Sequence, residues 1–277
     1  MCSRGTKDEN IEKAKKLLEM AVKKEAKIIC FPELFNTHFF PSEQNEYYFD
    51  LAEEENGPTL LEFSKMAKKW DVVIVLPIFE RSGNRFYNSA FVIDADGSIL
   101  GKYRKIHIPQ IPLWEERFYF SEGDLGFPVF NTKYAKIGIQ ISWDNFFPEG
   151  SRILSLKGAE IIISPTANAY DTHKKWLTVI SANAIMNGVH AIRVNRVGRE
   201  EKQTFYGRSF IVSPEGEIIS EMGSEEGILI GNFYRELNEE VKREWNFWRD
   251  RRPLMYLELL GIDLYEMISE KVKGRDP

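Results

Sequence analysis

Short apolar runs alternating with segments of helical spacing constrain this chain more than anything else in it. AKIICFPEL, DVVIVLPIFE, KIGIQI, AEIIISPTA and HAIRVNRV are each too brief for a core helix and are bounded by turn-forming or charged residues. Runs of this kind read as strands, and AKIICFPEL, having no polar alternation, reads as a strand buried on both faces. Between the runs, Asn10–Lys24 sets Ile11, Ala14, Leu18, Ala21 and Val22 on one stripe with Lys and Glu elsewhere, the 3.6-residue period of a surface helix. Further helices are expected over Thr59–Trp70, around Ile153, Leu154 and Leu156, and over Lys174–Asn187.

NSAFVIDADGSILGKYRK places two β-rich runs around Asp-Ala-Asp-Gly, a hairpin pattern, and RSFIVSPEGEIISEMG repeats it. EGILIGNF is expected to close the series as a last strand. Buried strands alternating with helices, extended by hairpins, make an α/β fold of two mixed sheets packed face to face with helices outside, a four-layer αββα sandwich. The two hairpins at comparable places hint at internal pseudo-twofold symmetry. A chain of this pattern should open with a strand, and MCSRGTKDEN is too short and too polar to supply one, so the sandwich is read as lacking its first strand. With 277 residues, 43% of them hydrophobic, one core suffices: a single domain over 1–277, of which 245–277 form a C-terminal arm.

Several functions are disfavoured. A net charge of −5 spread over a chain that is 29% charged does not suit a binder of phosphate backbones, so no nucleic-acid partner is expected. Cys2 and Cys30 form no disulfide framework, which fits a reducing compartment. No apolar run approaches the ~18 residues of a membrane span, and the start lacks the apolar stretch of a signal peptide, so the expected location is cytoplasmic, with no membrane partner. His38, His107, His173 and His190 show no metal-ligand spacing, and both a P-loop and a Rossmann glycine motif are absent, so neither metal nor cofactor is expected. His107 reads as a packed histidine.

Three polar residues fall where strands end, the rim at which open α/β sheets bind ligands. Glu33 follows IICFP, Lys105 follows the first hairpin, and Ser142 follows KIGIQI at a sharp bend, Trp-Asp-Asn-Phe-Phe-Pro. A bend of that kind exposes its side chain, and the following N–H, that of Trp143, is placed to meet an oxyanion. Carboxylate, ammonium and nucleophile position together form a set for acyl transfer.

The same residues resemble the nitrilase, or carbon-nitrogen hydrolase, superfamily over nearly the whole chain. The matching stretches are IICFPELF, GKYRKIHIP, EERFYFSEGDLGFPVF, GIQISWDNFFPEGSRILSLKGAEIIISPTA, NRVG, TFYGRSFIVSPEGEI and WNFWRDRRPLMY. The resemblance is greatest to its N-carbamoylputrescine amidase and carbamoylase branch. It implies that Glu33 is the general base, Lys105 the catalytic lysine, Glu116 a substrate-orienting carboxylate, and residue 142 the nucleophile. It also implies a small-molecule amide or N-carbamoyl amine as substrate and a homodimer or larger homo-oligomer, with Trp245–Tyr256 as the contacting arm.

The family has cysteine where this chain has Ser142. A hydroxyl is far harder to ionise than a thiol, whose pKa is about 8.5, so the protein as written is expected to be nearly inactive. Two explanations fit. One is a deliberate Cys-to-Ser change that traps substrate; the other is a natural non-catalytic relative that binds a small amide or ureido ligand. Retention of Glu33, Lys105 and Glu116 favours the first. In relatives a strand also precedes the segment matching CSRGTKDENIEKA, so Met1 is read as a truncation or a late start.

Overall fold

The computed structural model describes residues 1–245 and 247–261. Its elements run α1 (Lys7–Lys23), β1 (Ile28–Cys30), α2 (Pro58–Trp70), β2 (Val73–Ser82), β3 (Arg85–Ile93), β4 (Ile99–Arg104), α3 (Glu116–Tyr119), β5 (Val129–Asn131), β6 (Lys136–Ile139), α4 (Pro148–Leu156), β7 (Ile161–Thr166), α5 (His173–Asn187), β8 (His190–Asn195), β9 (Val197–Glu200), β10 (Gln203–Tyr206), β11 (Phe210–Val212), β12 (Ile218–Glu221) and α6 (Arg235–Glu244). They form sheets β1-β2-β3-β4 and β12-β11-β8-β7-β6-β5, with β9 and β10 as a separate ribbon. β1 runs parallel to β2, and β6, β7 and β8 are parallel to one another. The remaining neighbours are antiparallel.

Strand alternation sorts the layers. Val73 and Val75 of β2 pack with Val92 and, across the gap between sheets, with Ile137, Ile139, Ile161 and Ile163. Ile74, Leu76 and Ile78 point the other way, under Ala14 and Leu18 of α1 and Leu60 and Phe63 of α2. On the far side, Leu154 of α4 covers Ile162, while Trp176, Ile180 and Ala184 of α5 cover Ala191, Phe210 and Val212. Each of the Val, Leu, Ile and Phe side chains among them contributes ~1.5–3 kcal/mol by leaving water. The αββα sandwich read from the sequence is the fold.

Local signals set the helix ends. The Thr6 side chain accepts the Glu9 N–H while Glu9 accepts the Thr6 N–H at 2.8 Å, a capping box that starts α1 three residues before the expected Asn10. At the other end of α5, Gly188 closes the helix in the left-handed conformation, φ 55°.

Four expectations need correction. β1 is only three residues long, and it buries Ile29 while leaving Ile28 and Cys30 half-buried, because its outer edge faces a cleft of about 570 Å³ and not another strand. EGILIGNF forms no strand: Ile228–Phe233 line the same cleft without a ladder partner among the described residues. α4 turns Leu154 to the sheet but leaves Leu156 exposed. HAIRVNRV is interrupted at Arg196, which divides β8 from β9.

The arm expected over 245–277 lies partly outside the described residues; its described part holds a 3-10 turn at Pro253–Leu260. Among the described residues no helix is long and apolar enough to cross a membrane.

Candidate active site

Glu33 and Lys105 approach each other from different strands of the first sheet. The chain leaves β1 through Phe31-Pro32, and Leu34, at φ 52°, turns it sharply so that Glu33 sits at the sheet rim. Lys105 follows β4, its N–H donating to the Asn88 carbonyl at 2.9 Å. Glu116 comes from α3, a four-residue helix with no sequence signal of its own. The Lys105 Nζ lies 2.8 Å from Glu33 Oε1 and 2.6 Å from Glu116 Oε2, and all three side chains are buried.

One ammonium between two carboxylates leaves an excess acid in a dry place. Burial is the largest influence on Glu116 and pushes it up to about 8; the Lys105 ammonium pulls the other way, and the Glu33 charge adds to the rise. Burial works against the Lys105 charge too, yet Glu116 and Glu33 together hold that ammonium above its usual range. Glu116 Oε1 is buried without a hydrogen-bond partner among the described residues, so it is open to a polar group entering the site.

Glu33 is fixed on every side. Oε1 also accepts from Asn88 Nδ2 at 2.7 Å, and Oε2 accepts the Ala167 N–H at 2.8 Å. Its backbone is clamped by the buried Arg196, whose guanidinium donates to the carbonyls of Glu33 (3.0 Å), Leu34 and Thr37 (2.9 Å) and pairs with Glu200 at 2.6 Å.

Ser142 comes from the other sheet. It follows β6, opens a 3-10 turn over Ser142–Phe146, and has φ 46°, a left-handed conformation that costs a non-glycine residue ~1–3 kcal/mol. Asn145 holds it there, donating from Nδ2 to the Ser142 carbonyl at 2.8 Å and to Ser164 Oγ at 2.7 Å. Ser164 belongs to β7 and Ala167 follows it, so Ser142 and Glu33 are both tied to the end of one strand. The Ser142 hydroxyl makes no hydrogen bond to Glu33 or Lys105 among the described contacts. Trp143 is partly exposed beside Phe146, ring centroids 5.4 Å apart, and its N–H meets no acceptor among the described residues.

Glu33, Lys105 and Glu116 are therefore in direct contact, with Ser142 and Trp143 at the end of the neighbouring strand of the facing sheet. Sequence reasoning overlooked Asn88, Asp144, Ala167 and Arg196. Asp144 and Arg196 sit inside quoted motifs, SWDNFFP and NRVG, and their buried charge was the available signal. His107 packs flat on Phe147, 3.6 Å between centroids. Among the described residues no cluster of three or more His, Cys, Asp or Glu side chains is placed to hold a metal ion.

With this geometry in hand, known proteins give a consistent set of likenesses. A family model described as carbon-nitrogen hydrolase matches residues 1–243. N-carbamoylputrescine amidase from Solanum tuberosum is 41% identical over 271 residues, covering 92% of this chain and 90% of that protein. Citrullinase from Francisella tularensis subsp. tularensis is 41% identical over 266 residues, covering 91% and 93%. Among solved structures, a carbon-nitrogen hydrolase from Helicobacter pylori superposes with a TM-score of 0.90 at 38% identity, covering 94% of this chain and 95% of that one.

Proposed function

Because the chain belongs to the carbon-nitrogen hydrolase family, we propose that its site is built to hydrolyse the C–N bond of an amide or N-carbamoyl amine through a covalent intermediate on residue 142. The observation that carries this reading is the buried Lys105 held between Glu33 and Glu116 at the rim where the strained residue 142 stands. The names of the potato and Francisella relatives both point to a substrate with a ureido group. N-carbamoylputrescine and citrulline are thus the first compounds to assay.

Each residue has a chemical task in this scheme. The attacking atom at position 142 adds to the carbonyl or carbamoyl carbon, and Glu33 takes its proton. The Lys105 ammonium and the Trp143 N–H meet the oxygen on which negative charge develops. Glu116, neutral over part of the working pH range, orients the substrate nitrogen through Oε1. Collapse expels ammonia or an amine, which takes up a proton, and water then cleaves the acyl intermediate with Glu33 again receiving the proton. The scheme asks for no metal or cofactor.

A serine fits it poorly. Both Glu33 oxygens are already engaged by Lys105, Asn88 and the Ala167 N–H, and an alcohol gives up its proton far less readily than a thiol, whose pKa is about 8.5. The protein with Ser142 should release almost no ammonia, whereas Ser142→Cys should raise turnover of a carbamoyl and amide panel by about 10³-fold or more. No gain with Ser142→Cys would defeat the hydrolase reading and leave the second one, a protein that binds amide or ureido ligands without turning them over. That alternative rests on the serine at position 142, whose hydroxyl has no hydrogen bond to Glu33 or Lys105 among the described residues. Exposed Trp245, Phe247, Leu254 and Leu260 support a self-association role for the described part of the arm.

A further inference from the structure

One buried carboxylate outside the set above touches both halves of the machinery. Asp144, two residues beyond Ser142, is fully buried and receives four hydrogen bonds. Oδ2 accepts from the Ile141 N–H at 3.0 Å and from the Tyr103 hydroxyl at 2.8 Å. Oδ1 accepts from the His107 N–H at 2.9 Å and from His107 Nδ1 at 2.8 Å. A carboxylate in this role only accepts, so Nδ1 carries the imidazole proton.

The positions of these donors matter more than their number. Ile141 immediately precedes Ser142, whereas Tyr103 and His107 stand two residues before and two residues after Lys105. Tyr103 and Lys105 come from the first sheet and the bend at 142 from the second, so no ladder hydrogen bond links them. Phe147, at the far end of the 142–146 turn, stacks on the His107 ring and closes the bracket from outside.

We propose that Asp144 is a positioning residue that fixes the separation between the Lys105 ammonium and the attacking atom at position 142. The inference rests on the reading of those two groups as partners in one reaction. Asp144 touches neither of them; it acts through Ile141 on one side and through Tyr103 and His107 on the other. Asparagine cannot replace it, because an amide offers one accepting oxygen and turns an NH₂ toward two of the donors.

The test uses the Ser142→Cys protein, in which the pH dependence of iodoacetamide alkylation reports the environment of the thiol at position 142 whether or not turnover occurs. Adding Asp144→Asn removes a nearby negative charge, and by charge alone that lowers the thiol pKa. If Asp144 sets the separation, the Lys105 ammonium drifts from the sulfur and the thiol pKa rises instead, by about one unit. Tyr103→Phe, which removes one donor and no charge, should give a smaller rise with the fold intact. Where Ser142→Cys turns over substrate, kcat should fall ~10–100-fold with KM within about threefold. A thiol pKa that stays or falls in Asp144→Asn, or that does not move in Tyr103→Phe if the first variant fails to fold, overturns the proposal. Absence of ammonia release from Ser142→Cys would instead strike the functional reading, and the alkylation result would still stand.

Discussion

The two halves of the molecule repeat one another up to a point. The first runs α1-β1-α2-β2-β3-β4 and the second α4-β7-α5-β8-β11-β12, and in each the strands pair parallel, then antiparallel, then antiparallel. Glu33 follows β1, Ala167 follows β7, and the two meet through the Ala167 N–H. The halves differ on the outer side of their parallel strands. β7 has β6 beside it, carrying the chain to Ser142, whereas β1 has the cleft lined by Leu18, Ala21, Ile161 and Ile228. The first half thus supplies Glu33 and Lys105 from a thinly supported strand and an edge hairpin, and the second half holds them in place. Arg196, Asp144 and the Ala167 N–H all reach across in the same direction.

If that asymmetry governs the site, removing the strongest of these cross-half ties should do most damage. Arg196→Met deletes the clamp on the Glu33–Thr37 turn and strands Glu200, buried and without its cation. Breaking one side of a buried pair costs about 3–5 kcal/mol, which urea unfolding would read directly. A loss below ~1 kcal/mol would mean that the first half holds its own turn, and the comparison would fail.

A second effect, smaller over any one pH unit, lies where the halves join. The native state keeps a proton on Glu116 up to about pH 8 that the unfolded chain releases near the ordinary 4.5. Because the folded value is raised, the associated stability is complete below the unfolded value and is lost as pH rises through the folded one. Folding should therefore weaken between those limits by up to ~1.4 kcal/mol per pH unit, and Glu116→Gln should flatten that slope. Parallel slopes for the two proteins would show that Glu116 is already ionised in the native site.

The division between halves also marks where the sequence could be read. Apolar alternation displayed the layers, because Val73 and Ile74 must part company whatever lies beyond them. Glu33, Lys105 and Ser142 were visible as polar residues closing apolar runs. Strand identity at GILIGNF was not, since the residues favour β structure but a strand exists only with a neighbour to bond, and Ile228–Phe233 have none among the described residues. The apolar run around β1 misled in the same way: it disclosed apolar character and not which side was covered. Arg196 and Asp144 were hidden for another reason. Their partners, Glu200 excepted, lie some 35 to 165 positions away or are main-chain groups, which no local pattern reports.

The smallest expected effect addresses the cleft itself. Ala21 lies on α1, is buried, and lines the cleft beside Ile28 and Cys30. A leucine there has room to add apolar contact against β1, and filling a void of this kind typically contributes ~0.5–2 kcal/mol. Ala21→Leu should raise the urea midpoint modestly and slow amide exchange at Ile28 and Cys30, while exchange at Ile161–Ser164, already covered by β6 and β8, stays unchanged. Overpacking carries the opposite sign, a loss of ~1–3 kcal/mol. A destabilised Ala21→Leu would therefore show that α1 closes against β1 in solution, and that the first half is as well supported as the second.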